Sequence, residues 1–162
     1  MFRSDPQPAI LTSRRYLWVF LVIAALAGCE ETFTIHARNY QEWKTLSENE
    51  RSFFPNNLPS SAHDIYARHE PDTLATNVAF EIHPDSVADF ERSLKQAAPN
   101  EVVWPRMMVN ERWWPAVLNH CSYEEARRAG LEFFTYEEGS GHRKFTWGCA
   151  VHRKTSKVYF WY

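Results

Sequence analysis

The side chains of this sequence that could hold a metal ion are His63, His69 and His83, with Asp64, Glu70, Asp72 and Asp85 interspersed. Imidazole nitrogens and carboxylate oxygens are the ligand types of zinc and related ions. In an extended strand residues 63 and 69 project to the same face, but six residues separate them by roughly 20 Å. One ion would need His83 or Asp85 to fold back, and solvated polar residues at strand ends explain all these positions; no metal site is expected. A second pair, His120-Cys121, sets a thiol beside a base. Adjacent side chains rarely meet in hydrogen-bond contact, and a working base needs a third group to orient it. No nucleophile-elbow, phosphate-cradling or dinucleotide glycine pattern is present, so no catalytic residue is expected. Between residues 142 and 162, His142, Arg143, Lys144, Arg153, Lys154 and Lys157 mix with six aromatic residues. That is the footprint of a single-stranded nucleic-acid platform or of a surface for anionic headgroups. A terminal hairpin with its aromatics in the core and its cations on the turn explains it more simply.

The elements that must position these groups follow from the apolar spacing. Residues 30 to 54 read as a tether leading into a short helix, with Tyr40, Trp43 and Leu46 or Ser47 near helical spacing. Residues 53 to 61 concentrate turn formers and prolines. Ile65, Ala67 and His69 alternate with polar residues, and Val78, Phe80 and Ile82 share a second face, so two antiparallel strands are expected around the turn at 70–73. Ser86 and Asp89 resemble a capping box, and Val87, Phe90, Leu94 and Ala97 form a stripe that Pro99 ends. Val102-Val103-Trp104 reads as a short strand followed by a loop between Pro105 and Pro115. Ser122 and Glu125 open a short helix that Gly130 closes, and three strands follow at 131–136, 145–151 and 158–162. The expected fold is α+β: a small antiparallel sheet of about five strands with one main amphipathic helix packed on it.

The address is written before residue 30. Residues 1 to 15 carry Arg3, Arg14 and Arg15 against Asp5, and an apolar run begins at Tyr16 and meets charge at Glu30. That run is shorter than the roughly 20 residues a transmembrane helix needs, and its layout is that of an export signal. Leu26-Ala27-Gly28-Cys29 resembles the lipobox of bacterial lipoproteins. The resemblance implies cleavage between Gly28 and Cys29 and lipid on the Cys29 thiol, the one covalent group expected on this chain. Ser13-Arg14-Arg15 also suits a twin-arginine signal, but Trp18 and the strongly apolar run favour the general secretory route. Glu30 stands where Asp would retain an enterobacterial lipoprotein in the inner membrane, so the periplasmic face of the outer membrane is the implied location.

Cleavage after residue 28 leaves 134 of the 162 residues, 15 of them basic and 19 acidic, a formal charge of −4. One core is expected, and nothing in that balance suggests nucleic acid as a partner. The expected division is a signal peptide at 1–28, a lipidated cysteine with its tether and short helix at 29–54, and a globular α+β domain at 55–162. With Cys29 consumed by lipid, Cys121 and Cys149 form an even pair in an oxidising compartment, and a disulfide is expected between them, two unpaired buried thiols being the alternative. That bond would contribute roughly 3.5 kcal/mol in the loop-entropy model. Leu58-Pro59-Ser60-Ser61-Ala62-His63-Asp64-Ile65, with Asp72-Thr73 and the aromatic tail at 158–162, resembles a set of small bacterial proteins, several lipid-anchored. The resemblance implies one compact domain and no particular activity.

Two functions suit this reading. One is a non-catalytic envelope lipoprotein that binds an envelope protein through an aromatic patch, at Trp113-Trp114 or on the terminal hairpin. The other is an envelope hydrolase or ligand-binding protein whose site is assembled from scattered residues. A deep apolar pocket with converging polar groups would favour the second, and an exposed flat aromatic patch the first.

Overall fold

Alternation of apolar and polar residues builds most of this domain. In the computed structural model, residues 32–140 and 143–162 are described; the expected signal peptide, with Gly28 and Cys29, lies outside the described residues. Seven strands form one sheet: β1 (Phe33–Asn39), β2 (His63–Glu70), β3 (Ala75–Glu81), β4 (Lys95–Gln96), β5 (Leu131–Ser140), β6 (Arg143–His152) and β7 (Lys157–Trp161). Their order is β1-β2-β3-β7-β6-β5-β4, and every neighbouring pair is antiparallel. Two meanders therefore meet at β3 and β7, and the chain crosses from β3 to the far edge before returning to the centre.

Both faces of the sheet are covered. On one face Ile65, Ala67, Val78, Phe80, Cys149, Val151, Val158 and Phe160 pack beneath two short covers. The first cover runs through α1 (Tyr40–Thr45), α2 (Glu48–Arg51) and the loop to Ala62, and contributes Trp43, Phe54 and Leu58. The second is α3 (Val87–Arg92), which contributes Val87 and Phe90. The opposite face carries Ala79, Phe133, Ala150, Tyr159 and Trp161 under the segment from Ala97 to Ala126, which includes α4 (Ala116–Asn119) and α5 (Tyr123–Arg128). No described helix exceeds six residues, so packing against the sheet, and not helix propensity, holds them.

The α+β class stands, with seven strands in place of about five and several short helices in place of one main one. The expected tether holds β1, paired to β2 from Phe33↔His69 to Asn39↔His63, and α1 behind it. The helix expected from Ser86 stops at Arg92, and Ser86 makes no side-chain cap; Asp89 pairs with Arg92 instead. Lys95-Gln96 then joins the sheet edge against β5. Val102-Val103-Trp104 is not a strand, although Val102 and Trp104 pack against the core. Ser122 caps α5 as expected, and Gly130, at φ 86°, ends it.

The irregular layer is pinned by Trp161. Its indole, fully buried on β7, donates from Nε1 to the Val103 carbonyl at 2.6 Å and meets Trp114 and Phe133 edge-on. Room for that ring exists because residue 148 on the neighbouring strand has no side chain: a Cβ there would run into Nε1 and Cε2 of Trp161. Gly148→Ala is expected to cost about 2–3 kcal/mol through overpacking, seen as a lower urea midpoint.

Candidate functional site

The β5–β6 hairpin outruns its neighbour. β7 ends opposite Gly148 at Trp161, so residues 143–147 and their partners on β5 project beyond it. The cover formed by α1, α2 and the loop after them does not fill this end of the sheet, and a groove of about 610 Å³ opens between them. Its walls are Phe53, Phe54, Leu74, Phe145, Trp147 and Tyr162, its floor holds His69 and Thr76, and Asn56 and Glu138 stand at one side. A smaller hollow of about 200 Å³ lies where Phe33 and Ile35 of β1 meet Phe53, Phe54 and His69. Phe53, Phe54 and His69 border both spaces.

This is where the domain shows its apolar side chains. Five large apolar residues are exposed among the described residues, and Phe33, Phe53, Leu74 and Phe145 all line these two spaces; only Met108 lies elsewhere. Leu74 is 56% exposed and sits at φ 56°, in the left-handed region that favours glycine or asparagine. A leucine there is costly both for its backbone and for its wet side chain.

His69 is the polar group at the centre. Only 2% exposed, it has its Nδ1 at 2.8 Å from the Thr76 hydroxyl, and Phe53 stacks on the ring at 4.1 Å between centroids and 15° between planes. Its Nε2 is buried without a protein partner. Burial pushes the imidazole pKa down, and a hydrogen bond to the backbone of Ala75 opposes that only in part. The ring is therefore neutral at pH 7, with one nitrogen unspent. The carboxylate nearby is already engaged: Glu138 accepts from the Trp147 indole at 3.2 Å and from the Asn56 amide. Glu50, beside the smaller hollow, is held below the usual carboxylate range by the Ser47 hydroxyl and amide that it caps. The groove is thus mainly apolar, and the His69 ring on its lining is enclosed beneath Phe53.

The residues singled out from sequence lie elsewhere. Trp114 is 4% exposed in the second core and donates to Asn119 at 3.2 Å; Trp113 stacks on Tyr66 at 5.8 Å. Trp114 is core and presents no binding surface. Cys121 and Cys149 are both free, correcting the expected disulfide. Cys149 belongs to the core on one face of the sheet, whereas Cys121 is exposed at the turn between α4 and α5, whose Leu118 and Ala126 pack on the other face. The sheet stands between two atoms that a bond would need within a few ångströms. His120 turns to Glu125 at 3.5 Å and the Cys121 thiol to the Asn119 carbonyl, so they form no nucleophile and base.

The histidines separate as well. A bulge between His63 and Tyr66, with Asp64 at φ 46°, shifts the register of β2 against β3 by one residue. His63 then meets Glu81 at 3.8 Å on the face of Lys157, while His69 faces the groove. The ligand atoms of His63, Asp64 and Glu81 lie within 4.8 Å of one another. Lys157 already balances that cluster, with its ammonium 3.1 Å from Glu81. His83 pairs with Asp85 at 3.5 Å in solvent. The one signal in the sequence that marked the groove was His69 itself, a histidine in phase with Ile65 and Ala67 on the buried face of β2.

Two outcomes follow. With the folded pKa of His69 depressed, an unfolded chain takes up the proton first as pH falls; the stability His69 contributes is present above about pH 6.5 and lost below it as the folded pKa is approached. His69→Gln is expected to flatten the pH dependence of the urea midpoint between pH 7 and 5. A disulfide-exchange reagent is expected to modify Cys121 in the native protein and Cys149 only after unfolding, since burial also raises the Cys149 thiol pKa well above its ordinary value. No helix among the described residues is long and apolar enough to cross a membrane. A scan against protein-family models, a search of curated proteins and a search of solved structures each return no match.

Proposed function

We propose that this protein is a lipid-anchored binding protein of the bacterial cell envelope that holds a predominantly apolar small molecule in the groove above His69. The observation that carries this reading is the groove itself: about 610 Å³ of mainly apolar space, lined by the exposed Phe53, Leu74 and Phe145, with His69 enclosed beneath Phe53. Its volume and lining are those of small-molecule sites, where apolar walls supply affinity and a few polar atoms fix orientation. The enclosed, unpartnered Nε2 of His69 costs about 1–3 kcal/mol, which a ligand hydrogen bond would offset once the Phe53 ring swings aside.

Anchoring at Cys29 is supported by the lipobox and the charged and apolar segments before it. Binding of an envelope protein through Trp113 and Trp114 has less to recommend it, since Trp114 lies within the core. The hydrolase alternative would need a nucleophile and base in contact, and the His120-Cys121 pair does not supply them.

Titration with a pyrene-labelled fatty acid tests the reading. Saturable, one-to-one binding is expected, and Phe53→Ser with Phe145→Ser weakens it about tenfold or more, as removal of two half-exposed aromatic walls should. Met108→Ser, away from the groove, leaves it unchanged. Absence of saturable binding, or equal affinity in the double variant, would count against the groove as the site.

A further inference from the structure

The two ends of the sheet differ in chemistry, and the difference bears on where the protein meets its surroundings. At one end lie the start of β1, the β2–β3 turn, the end of β7 and the projecting β5–β6 hairpin, with exposed Phe33, Phe53, Leu74 and Phe145. The other end is built of ion pairs: Arg153 bridges Glu91 at 2.7 Å and Glu132 at 3.2 Å, Lys157 meets Glu81 at 3.1 Å, and His83 faces Asp85. Apolar side chains gathered at one end mark a surface that meets something other than water.

Chain length says what that is. Cys29 precedes Phe33 by four residues, and four residues of fully extended chain span at most about 14 Å. Phe33 pairs with His69 in the sheet and borders the same aromatic cluster that walls the groove. By chain length, the apolar end is the part of the folded domain nearest to a lipid on Cys29.

We propose that the groove end is the surface this protein lays on the membrane, and that the groove's occupant is an acyl chain of a bilayer phospholipid; this rests on the anchor and the groove of the preceding section. Phe33, Phe53, Leu74 and Phe145 enter the interface between headgroups and chains, where apolar side chains gain most from leaving water. The groove opens among them, so an acyl chain passes from bilayer to protein without crossing solvent. Charges of both signs stand around this end, Glu70 and Asp72 on the turn, Lys144 paired with Glu137 on the hairpin and Arg106 over Tyr162, so the contact proposed is an apolar one.

The test uses the acylated protein in vesicles of phosphatidylcholine, with Cys121→Ser as background and single cysteines carrying a nitrobenzoxadiazole label at Leu74→Cys, Phe145→Cys or Lys154→Cys. Spin-labelled phosphatidylcholine is expected to quench the labels at 74 and 145 about twofold or more while leaving 154 nearly unchanged, and the contrast persists at high salt because it is apolar in origin. Equal quenching at all three positions, or stronger quenching at 154, overturns the orientation. If no position is quenched while the pyrene fatty acid still binds in solution, the groove stands and the membrane face falls. If the pyrene probe does not bind at all, the groove fails and the acyl-chain occupant with it. A label at 74 that is quenched by neither lipid nor aqueous iodide in intact envelopes assigns this end to a protein partner and overturns the proposal.

Discussion

One indole in one vacant position holds the second face of this domain together. Trp161 fits against β6 only because residue 148 is glycine, and from there it reaches the Val103 carbonyl and the rings of Trp114 and Phe133. The segment from 97 to 129 has two helices of four and six residues and one 3₁₀ turn. Little in its own backbone would keep it in place. An aromatic series running from His36 through Tyr66, Trp113 and Trp114 to Tyr159 and Trp161 does so instead, each ring meeting the next at 4.2 to 6.1 Å. Each such pair adds about 0.5–1.5 kcal/mol beyond the area it buries, and the series stitches the β1 edge to the centre of the sheet.

That anchoring has a consequence on the other face. With the long irregular segment spent on one side, the first face is left to α3 and to α1, α2 and the loop after them, which are too short to cover all of it. α3 closes the end where Arg153 joins Glu91 to Glu132. Trp43, Phe54 and Leu58 cover the middle. The remaining end, beyond Thr76 on β3 and Trp161 on β7, is where the sheet lengthens through β5 and β6, and so the cover and the sheet diverge there. The groove is thus a product of topology: it lies where strand lengths are unequal and the cover is short.

The same physics decides what the sequence disclosed. Strands β2, β3, β5, β6 and β7 were legible because each alternates between a buried and a second face, as with Val158 and Phe160 against Tyr159 and Trp161. β1 was not, since it is an edge strand with only Ala37 fully buried, and its polar neighbours read as a tether. The stripe Val87, Phe90, Leu94, Ala97 is helical in spacing, yet its last two members belong to a turn and to the approach to the opposite core. Cys121 and Cys149 looked like a pair because counting cysteines ignores which face each strand or turn presents. The groove was invisible for a simpler reason: its walls come from five separated segments, each a strand end or turn whose local pattern is unremarkable.

Stability and use pull against each other at that end. Leu74 in a left-handed conformation costs about 1–2 kcal/mol against glycine, and its exposed side chain returns nothing to the core. Phe53 shields His69 from water yet leaves Nε2 without a partner. The centre of the domain is packed more strictly: Trp161, Phe80 and Phe160 are all but fully enclosed, and the Trp161 and Trp114 indoles have their hydrogen bonds, although Asn57, Arg68 and Asn77 also bury side-chain atoms without a partner. Local departures from good packing and satisfied polar groups tend to gather where a protein works. Here two kinds of departure, exposed apolar side chains and an unspent buried nitrogen, fall within one concavity. An occupant that is apolar along its length would cover the exposed side chains, whereas a polar occupant would leave Phe145 and Leu74 as wet as before.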